Sequence, residues 1–130
     1  MALIALTPSS GSPAAIWVND FNMIKVTPYA DPSLPTANAD VIYSGPSAFL
    51  GDQQSIIVDE LPAAILAASA PATANLISVT VGGVTTFLNS NNILSVVSDG
   101  GTGSKIQYKE FGLVSYVFAS QAPAAIAMLF

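Results

Sequence analysis

The chain has 130 residues and a formal charge of −5, and its only basic residues are Lys25, Lys105 and Lys109. Three scattered lysines argue against binding to nucleic acid, which needs several phosphates neutralised by Lys or Arg, and against binding to anionic membranes. Only 8% of the residues are charged and 52% are hydrophobic, whereas an ordinary soluble domain has about 25% charged residues. A surface with so little charge indicates burial against copies or partners, so we expect an assembly protein.

Taken in chain order, the predicted elements form two similar series. The shared patterns Asn-x-x-Asn and Pro-Ala-Ala-Ile favour a tandem duplication over chance similarity between apolar strands. Length differences fall between the matched blocks, where loops tolerate insertions. The matched blocks, with the first copy named first, are residues 3–7 and 76–80, 17–26 and 87–96, 41–43 and 106–108, and 59–65 and 120–126.

The first copy begins with a strand at Leu3–Thr7 and continues, after the loop Pro8–Pro13, with a strand from Trp17. Asn19–Asn22 bends the chain, because Asn tolerates left-handed backbone and bonds to nearby backbone groups. The long loop Pro28–Ala39 follows the next strand. The remaining predicted elements are strands near Asp40–Tyr43 and Ser55–Val58 and a short helix with Asp59 as its N-cap and Pro62 in its first turn.

The second copy repeats this series with shorter connections. Gly82-Gly83 separates two β-branched runs by two residues, which is typical of a tight hairpin whose turn needs positive φ. Gly100–Ser104 is interpreted as another turn and not as a phosphate cradle, because a strand follows it. The predicted strands are Leu76–Val81, Val84–Leu88, Ile93–Val97, Lys105–Tyr108 and Leu113–Phe118, and the closing helix has Ser120 as its N-cap and Pro123 in its first turn.

These patterns predict a mainly β fold (β-rich α+β), in which a small antiparallel β unit is repeated and each copy is closed by a short C-terminal helix. Residues 1–69 form the first repeat, 70–74 the linker and 75–130 the second repeat, unless the repeats merge into one domain. A unit of about 60 residues is marginal alone, so pairing supplies apolar burial. We expect a pseudo-twofold axis, with matched positions facing one shared core or two matching cores: Leu3 and Leu76, Trp17 and Phe87, Ile65 and Ile126.

Side chains that carry catalysis are scarce. The chain has no His, Cys or Arg, so the usual general base, thiolate nucleophile and bidentate anion clamp are missing. We expect no enzymatic activity, no cofactor and no metal site. Asp31 and Asp40 are interpreted as solvated loop carboxylates in preference to a Ca²⁺ site, because no EF-hand spacing is present. Four aromatic residues at matched positions are interpreted as core in preference to a sugar-binding surface: Trp17, Phe87, Tyr43 and Tyr108.

Both copies carry one short motif: an aliphatic residue and Asn, then three residues, an aliphatic pair, one residue and Val. It occurs as Val18–Val26 and as Leu88–Val96. The motif resembles small β-rich proteins of bacteria and tailed phages, including flagellar FlbD-type proteins and the strand core of LytTR domains. LytTR domains bind DNA through basic loops, which this sequence lacks, so that function is not expected. The second copy also resembles small proteins of marine tailed phages, which implies a virion component.

Composition, duplication and resemblance together favour a capsid decoration or cement protein, which docks in many copies on a larger protein lattice. The expected partners are the major capsid protein or another virion protein, and further copies of this chain. The expected location is the virion, after synthesis in the host cytoplasm, because Met1–Thr7 lacks the pattern of a signal peptide. The partner-contact candidates lie in two loops that are long only in the first copy: Pro8, Pro13, Pro28, Tyr29, Pro32 and Pro35.

Two other functions remain open. A binding module would use the aromatic residues and the same loops to engage a glycan or a peptide. A filament or surface-layer subunit would join copies head to tail, and exposed complementary edge strands would distinguish it.

Overall fold

The computed structural model describes residues 3–44, 53–69 and 76–130, so the predicted linker 70–74 lies outside the described residues. Strands dominate this part of the chain, which confirms the mainly β fold. The elements of the first half are β1 Leu3–Leu6, β2 Ile16–Asn19, β3 Met23–Pro28, β4 Ala39–Ser44, β5 Gln53–Val58 and α1 Pro62–Ala68. Those of the second half are β6 Leu76–Val81, β7 Val84–Asn89, β8 Ile93–Ser98, β9 Ser104–Glu110, β10 Leu113–Ala119 and α2 Pro123–Ala127.

The strands pair into three antiparallel sheets, with the orders β1–β2, β5–β4–β3–β7–β6 and β10–β9–β8. The pairing of β3 with β7 joins the first half to the second. Lys25 lies opposite Leu88 there, and Val26 lies opposite Phe87. The two halves therefore share one continuous five-stranded sheet.

The β3–β4 pair of the first half and the β8–β9 pair of the second half have similar registers. Met23 lies opposite Tyr43 just before a bulge in β3, and Ile93 lies opposite Tyr108 just before a bulge in β8. A bulge bends a strand locally and is a specific feature of its backbone. Each half thus runs through two paired strands, a bend, three meandering strands and a closing helix.

The predicted turns and bends are confirmed. Gly82 and Gly83 have φ values of 58° and 79°, as a two-residue hairpin turn requires. Asn19 and Asn89 each begin a single 3-10 turn, at 20–22 and 90–92. Their side-chain oxygens accept hydrogen bonds from the backbone two residues later, at 3.0 and 2.9 Å. These side chains therefore fix the angle between the hairpin and the following strand.

Two apolar clusters form the core, one for each half. Because neighbouring residues of a strand point to opposite faces, Phe87 packs into the first cluster and Leu88 into the second. Ile65 of α1 and Ile126 of α2 are both buried, as predicted. The first cluster contains Ile4, Leu6, Val18, Met23, Val26, Ala39, Val41, Val58, Ile65 and Phe87. The second contains Ile77, Val79, Leu88, Ile106, Tyr108, Ala119 and Ile126.

Two residues expected in the core are exposed instead. The exposed fractions of Leu3 and Trp17 are 66% and 67%, so the prediction for both side chains is wrong. They lie on the face of the β1–β2 hairpin opposite to Ile4 and Val18, which are buried. The equivalent face of the β6–β7 hairpin is covered, because Phe87 packs against the first core.

Both helices carry a proline in the first turn, as predicted, but their N-caps are not the predicted ones. Leu61 and Ala122 occupy the cap positions, and neither makes a side-chain capping hydrogen bond. Asp59 and Ser120 lie too far upstream. The residue before a proline is held in extended backbone, so the helix cannot begin earlier.

Candidate functional site

The two long loops of the first half lie together at one end of the fold. Asp59 joins them, because its carboxylate accepts hydrogen bonds from Ser9 Oγ at 2.6 Å and from Thr36 Oγ1 at 2.7 Å. These two bonds lower the pKa of Asp59 below its usual value. The side-chain amide of Asn38 also donates to the Asp59 carbonyl at 2.7 Å. The structure thus brings both predicted loops around one carboxylate.

The six partner-contact candidates differ in accessibility. Pro8 is buried where it bridges Val58, so its side chain is not available to a partner, and that expectation is corrected. Tyr29 is half-buried and donates a hydrogen bond to Asp31 Oδ2 at 3.1 Å. This hydrogen bond raises the pKa of Tyr29. The exposed candidates are Pro13, Pro28, Pro32 and Pro35.

The two carboxylates considered for a Ca²⁺ site have other partners. Asp31 Oδ1 accepts hydrogen bonds from the backbone N–H of Ser33 at 2.9 Å and from its hydroxyl at 2.8 Å, and these lower the pKa of Asp31. Asp40 accepts a hydrogen bond from Ser55 Oγ at 2.6 Å. Within residues 3–44, 53–69 and 76–130, no group of three His, Cys, Asp or Glu side chains could hold a metal ion. Asp31 stabilises its own loop turn.

An exposed apolar stripe runs along one face of β10. We call Val114, Tyr116 and Phe118 the β10 stripe, and their exposed fractions lie between 53% and 58%. The rings of Tyr116 and Phe118 meet edge to face, with centroids 5.5 Å apart. Lys105 Nζ lies 4.5 Å from the centroid of the Tyr116 ring, within reach of a cation–π interaction. Such a surface can bind a partner by removing aromatic area from water.

Sequence reasoning missed the β10 stripe. Leu113–Ala119 is apolar on both faces of the strand, so alternation could not show which face would be buried. The difference in polarity from β5 was a usable signal. The β5 residues at the register positions of the stripe are Gln53, Ser55 and Ile57, of which two are polar. The stripe therefore belongs to the second half alone.

An ion pair lies at the junction of β3 with β7. Lys25 Nζ is 2.9 Å from Glu110 Oε1 and donates a hydrogen bond to the Tyr108 hydroxyl at 3.0 Å. Burial alone would lower the pKa of Lys25, but the hydrogen bonds to Tyr108 and Glu110 together outweigh burial, and this pKa is raised. Burial raises the pKa of Tyr108. Lys25 therefore stays charged and links the two halves.

A groove lies beside β2 and has a volume of about 330 Å³. We call it the β2 groove. Among the described residues, its lining combines apolar side chains with amide and hydroxyl groups and includes no charged side chain, so it suits an apolar or backbone partner better than a charged ligand. The lining residues are Leu3, Ile16, Trp17, Val18, Asn19, Asn22, Tyr43 and Ser44.

The exposed loop prolines, the β10 stripe and the β2 groove are surfaces that a partner can contact. In the part of the chain that the structure describes, no helix is long and apolar enough to span a membrane. Comparison of the chain with protein-family models, with curated proteins and with solved structures finds no match.

Proposed function

We propose that this chain is a structural protein of a viral particle, a capsid decoration or cement protein that docks in many copies on a larger protein lattice. The observation that carries the proposal is the β10 stripe, an aromatic surface left open on a protein with few surface charges. Exposed apolar surface of this kind is costly in water unless a partner covers it. The resemblance of the short Asn-containing motif to small proteins of tailed phages is the reason for proposing a viral particle as the setting.

The four exposed loop candidates supply a second contact to the lattice, because they lie in loops that are long only in the first half. Proline restricts the unbound backbone, so docking through Pro28, Pro32 and Pro35 costs less ordering entropy than docking through a free loop. The hydrogen bonds to Asp59 hold these loops together before the partner arrives.

We infer that the two halves arose by duplication of one unit. Three features support this relation: the order of elements, the position of the bulges in β3 and β8, and the Asn side chains that begin both 3-10 turns. A further match is the contact from the closing segment back to the first strand. Asp59 N donates to the Thr7 carbonyl and Ser120 N donates to the Thr80 carbonyl, both at 2.9 Å.

The relation between the halves is proposed to be head to tail, in place of the twofold axis expected from the sequence. A twofold exchange of the halves would pair β8 with β2 in the way that β3 pairs with β7. The sheets formed by the described residues contain no β8–β2 pair. The third strand of the first unit, β3, thus pairs with the second strand of the second unit, β7.

Particles from the native source test the function directly. The proposal predicts that purified particles contain this chain in many copies, by mass spectrometry and by imaging, and that particles stripped of it bind it again. Replacing Tyr116 by Ser should weaken rebinding, whereas replacing Val84 by Ser, an exposed residue beside the Gly82-Gly83 turn, should not. Particles without the chain would refute the proposal. Saturable glycan binding that is lost in Tyr116→Ser, without association with particles, would replace it with the glycan-binding function.

A further inference from the structure

The junction between β3 and β7 is a specific interface inside one chain. Beyond the strand pairing, the Asn89 side-chain amide donates to the carbonyl of Met23 at 2.8 Å and to that of Phe21 at 3.3 Å. Lys25 reaches Tyr108 and Glu110 from the other side. Backbone pairing, a buried amide and an ion pair thus join one unit to the next.

Each of the two strands that form this junction has an equivalent strand in the other half. By the matched blocks, β2 is equivalent to β7, and β8 is equivalent to β3. Among the described strands, β2 pairs with β1 alone and β8 pairs with β9 alone, so each has one open edge. The open edges of β2 and β8 are therefore equivalent to the edges of β7 and β3 that pair with each other within the chain.

Matched side chains differ in burial according to whether their strand edge is paired or open. Phe87, at the junction, is 5% exposed, whereas the equivalent Trp17 on β2 is 67% exposed. Ile24, at the junction, is 2% exposed, whereas the equivalent Leu94 on β8 is 51% exposed. In both pairs the residue beside the joined edge is buried, and the residue beside the open edge is exposed.

The β2 groove marks the place that a neighbouring strand would fill. Its lining residues Trp17, Asn19 and Tyr43 are equivalent to Phe87, Asn89 and Tyr108, which all contact the first half across the junction. No hydrogen bond from the side-chain nitrogen of Asn19 is present among the described residues, although its equivalent on Asn89 makes two.

We propose that β8 of one chain pairs antiparallel with β2 of a second copy, with Val96 opposite Trp17 and Ser95 opposite Val18. This register is that of the β3–β7 junction, transferred through the matched blocks. Trp17 packs against the second core of the neighbouring chain, as Phe87 packs against the first core of its own. The inference rests on the proposed equivalence of the two halves and does not depend on the viral setting.

Each chain offers one β2 edge and one β8 edge, so the contact is heterologous and repeats head to tail. Repetition gives a closed ring if the rotation closes and a filament if it does not. Ser95 stands where the junction has Lys25, so the contact between chains lacks the ion pair. Association between chains is therefore weaker than the junction within a chain.

Sedimentation equilibrium and native mass spectrometry of the purified chain, from about 1 μM to about 1 mM, measure the association. Two variants each block one edge at an exposed side chain: Trp17→Asp on β2 and Leu94→Asp on β8. Each should raise the dissociation constant at least about 30-fold, because a central aromatic or apolar anchor dominates such an interface. Leu61→Asp adds the same charge at another exposed site, the N-cap of α1, and should leave association unchanged.

A mixture of the two blocked variants gives the sharpest test. Trp17→Asp keeps its β8 edge and Leu94→Asp keeps its β2 edge, so the mixture should form dimers that contain one chain of each kind and grow no further. A wild-type chain that remains monomeric at about 1 mM would overturn the proposal. Self-association of either blocked variant at wild-type strength would also overturn it, because the contact would then join like edges.

Disulfide trapping tests the register. The chain has no Cys, so Val18→Cys and Ser95→Cys chains, mixed and oxidised, should form mainly mixed disulfides. Val18→Cys mixed with Val97→Cys should not, because that pair is diagonal and too far apart for unstrained geometry. Disulfides that form equally in both mixtures would refute the register. Particles that lack this chain would defeat the viral proposal and leave this inference standing, so the two failures are distinguishable.

Discussion

Phe87 and Trp17 occupy equivalent positions under the proposed duplication, yet the structure predicts very different costs for removing them. Replacing Phe87 by Ala empties a site in the first core, where the side chain is 5% exposed. An aromatic side chain buries at least about 150 Å². At about 25 cal/mol per Å², its loss reduces the free energy of unfolding by about 4 kcal/mol, which agrees with the usual range of about 3–5 kcal/mol for Phe→Ala.

Replacing Trp17 by Ala should cost the isolated chain much less. Only about a third of its side chain is removed from water, since the exposed fraction is 67%. A third of roughly 250 Å² is about 80 Å², which sets an upper limit of about 2 kcal/mol on the loss. The two variants should therefore differ by at least about 2 kcal/mol, although both remove an aromatic residue at the same position of the unit.

Urea unfolding followed by far-UV circular dichroism measures both values without relying on tryptophan fluorescence. The protein should be at low micromolar concentration, so that association between chains does not add to the stability of the wild type. Equal losses for the two variants would contradict the reasoning, because they would mean that Trp17 is covered within its own chain. A loss below about 1 kcal/mol for Phe87→Ala would contradict the role of the junction.

Three further predictions concern stability. Gly103→Ala should lower the free energy of unfolding by about 1–3 kcal/mol, because the new Cβ would lie 2.5 Å from a backbone carbonyl oxygen, whereas Gly101→Ala, whose Cβ meets only a side chain at 3.4 Å, should cost under about 1 kcal/mol. Phe111→Asn should raise the melting temperature, with a gain of about 1 kcal/mol, because Phe111 has a φ of 52° that Asn adopts more readily; no gain would contradict this. The pKa of Lys25 is raised above 10.5, so the stability that it contributes is present below that pH and is lost as the pH rises through the folded-state pKa. Urea unfolding between pH 9 and 12 should thus show a smaller decline for Lys25→Met than for the wild type, and parallel declines would refute the assignment.

The strands were predictable because their signals are local. The run Leu76–Val81 is β-branched and ends at Gly82-Gly83, so both ends of β6 agree with the sequence. Ile93–Val97 was short of the observed β8 by one residue. Turn residues that need positive φ, and Asn residues that bond to their own backbone, fix such boundaries without help from the rest of the fold.

The exposure of Trp17 was not predictable from the same signals. The match with Phe87 predicted that both residues face a core, but the sequence of one unit does not say whether another unit covers that face of the hairpin. The ion pair between Lys25 and Glu110 was missed for a similar reason, because 85 residues separate partners that only the β3–β7 pairing brings together.

The helix caps show a competition between two local rules. Asp59 and Ser120 are good N-cap residues, but Pro62 and Pro123 force extended backbone on the residues immediately before them. The constraint on φ and ψ outweighs the capping hydrogen bond, so the helices begin after Leu61 and Ala122. Asp59 then becomes available to the loops, which is how a predicted capping residue came to organise the candidate contact surface.

The ion pair also explains how two junctions of one geometry coexist in the proposed assembly without exchanging partners. Lys25 fits where Tyr108 and Glu110 face it. In the first half, Tyr43 takes the place of Tyr108, and two residues further on the chain has Gly45 where the second half has Glu110. Placing the Lys25 edge against the β2 groove would leave a desolvated ammonium group without its carboxylate, a cost that disfavours the exchange. Uncharged Ser95 on β8 carries no such cost, so the internal junction closes within each chain and the open edges are left to join different copies.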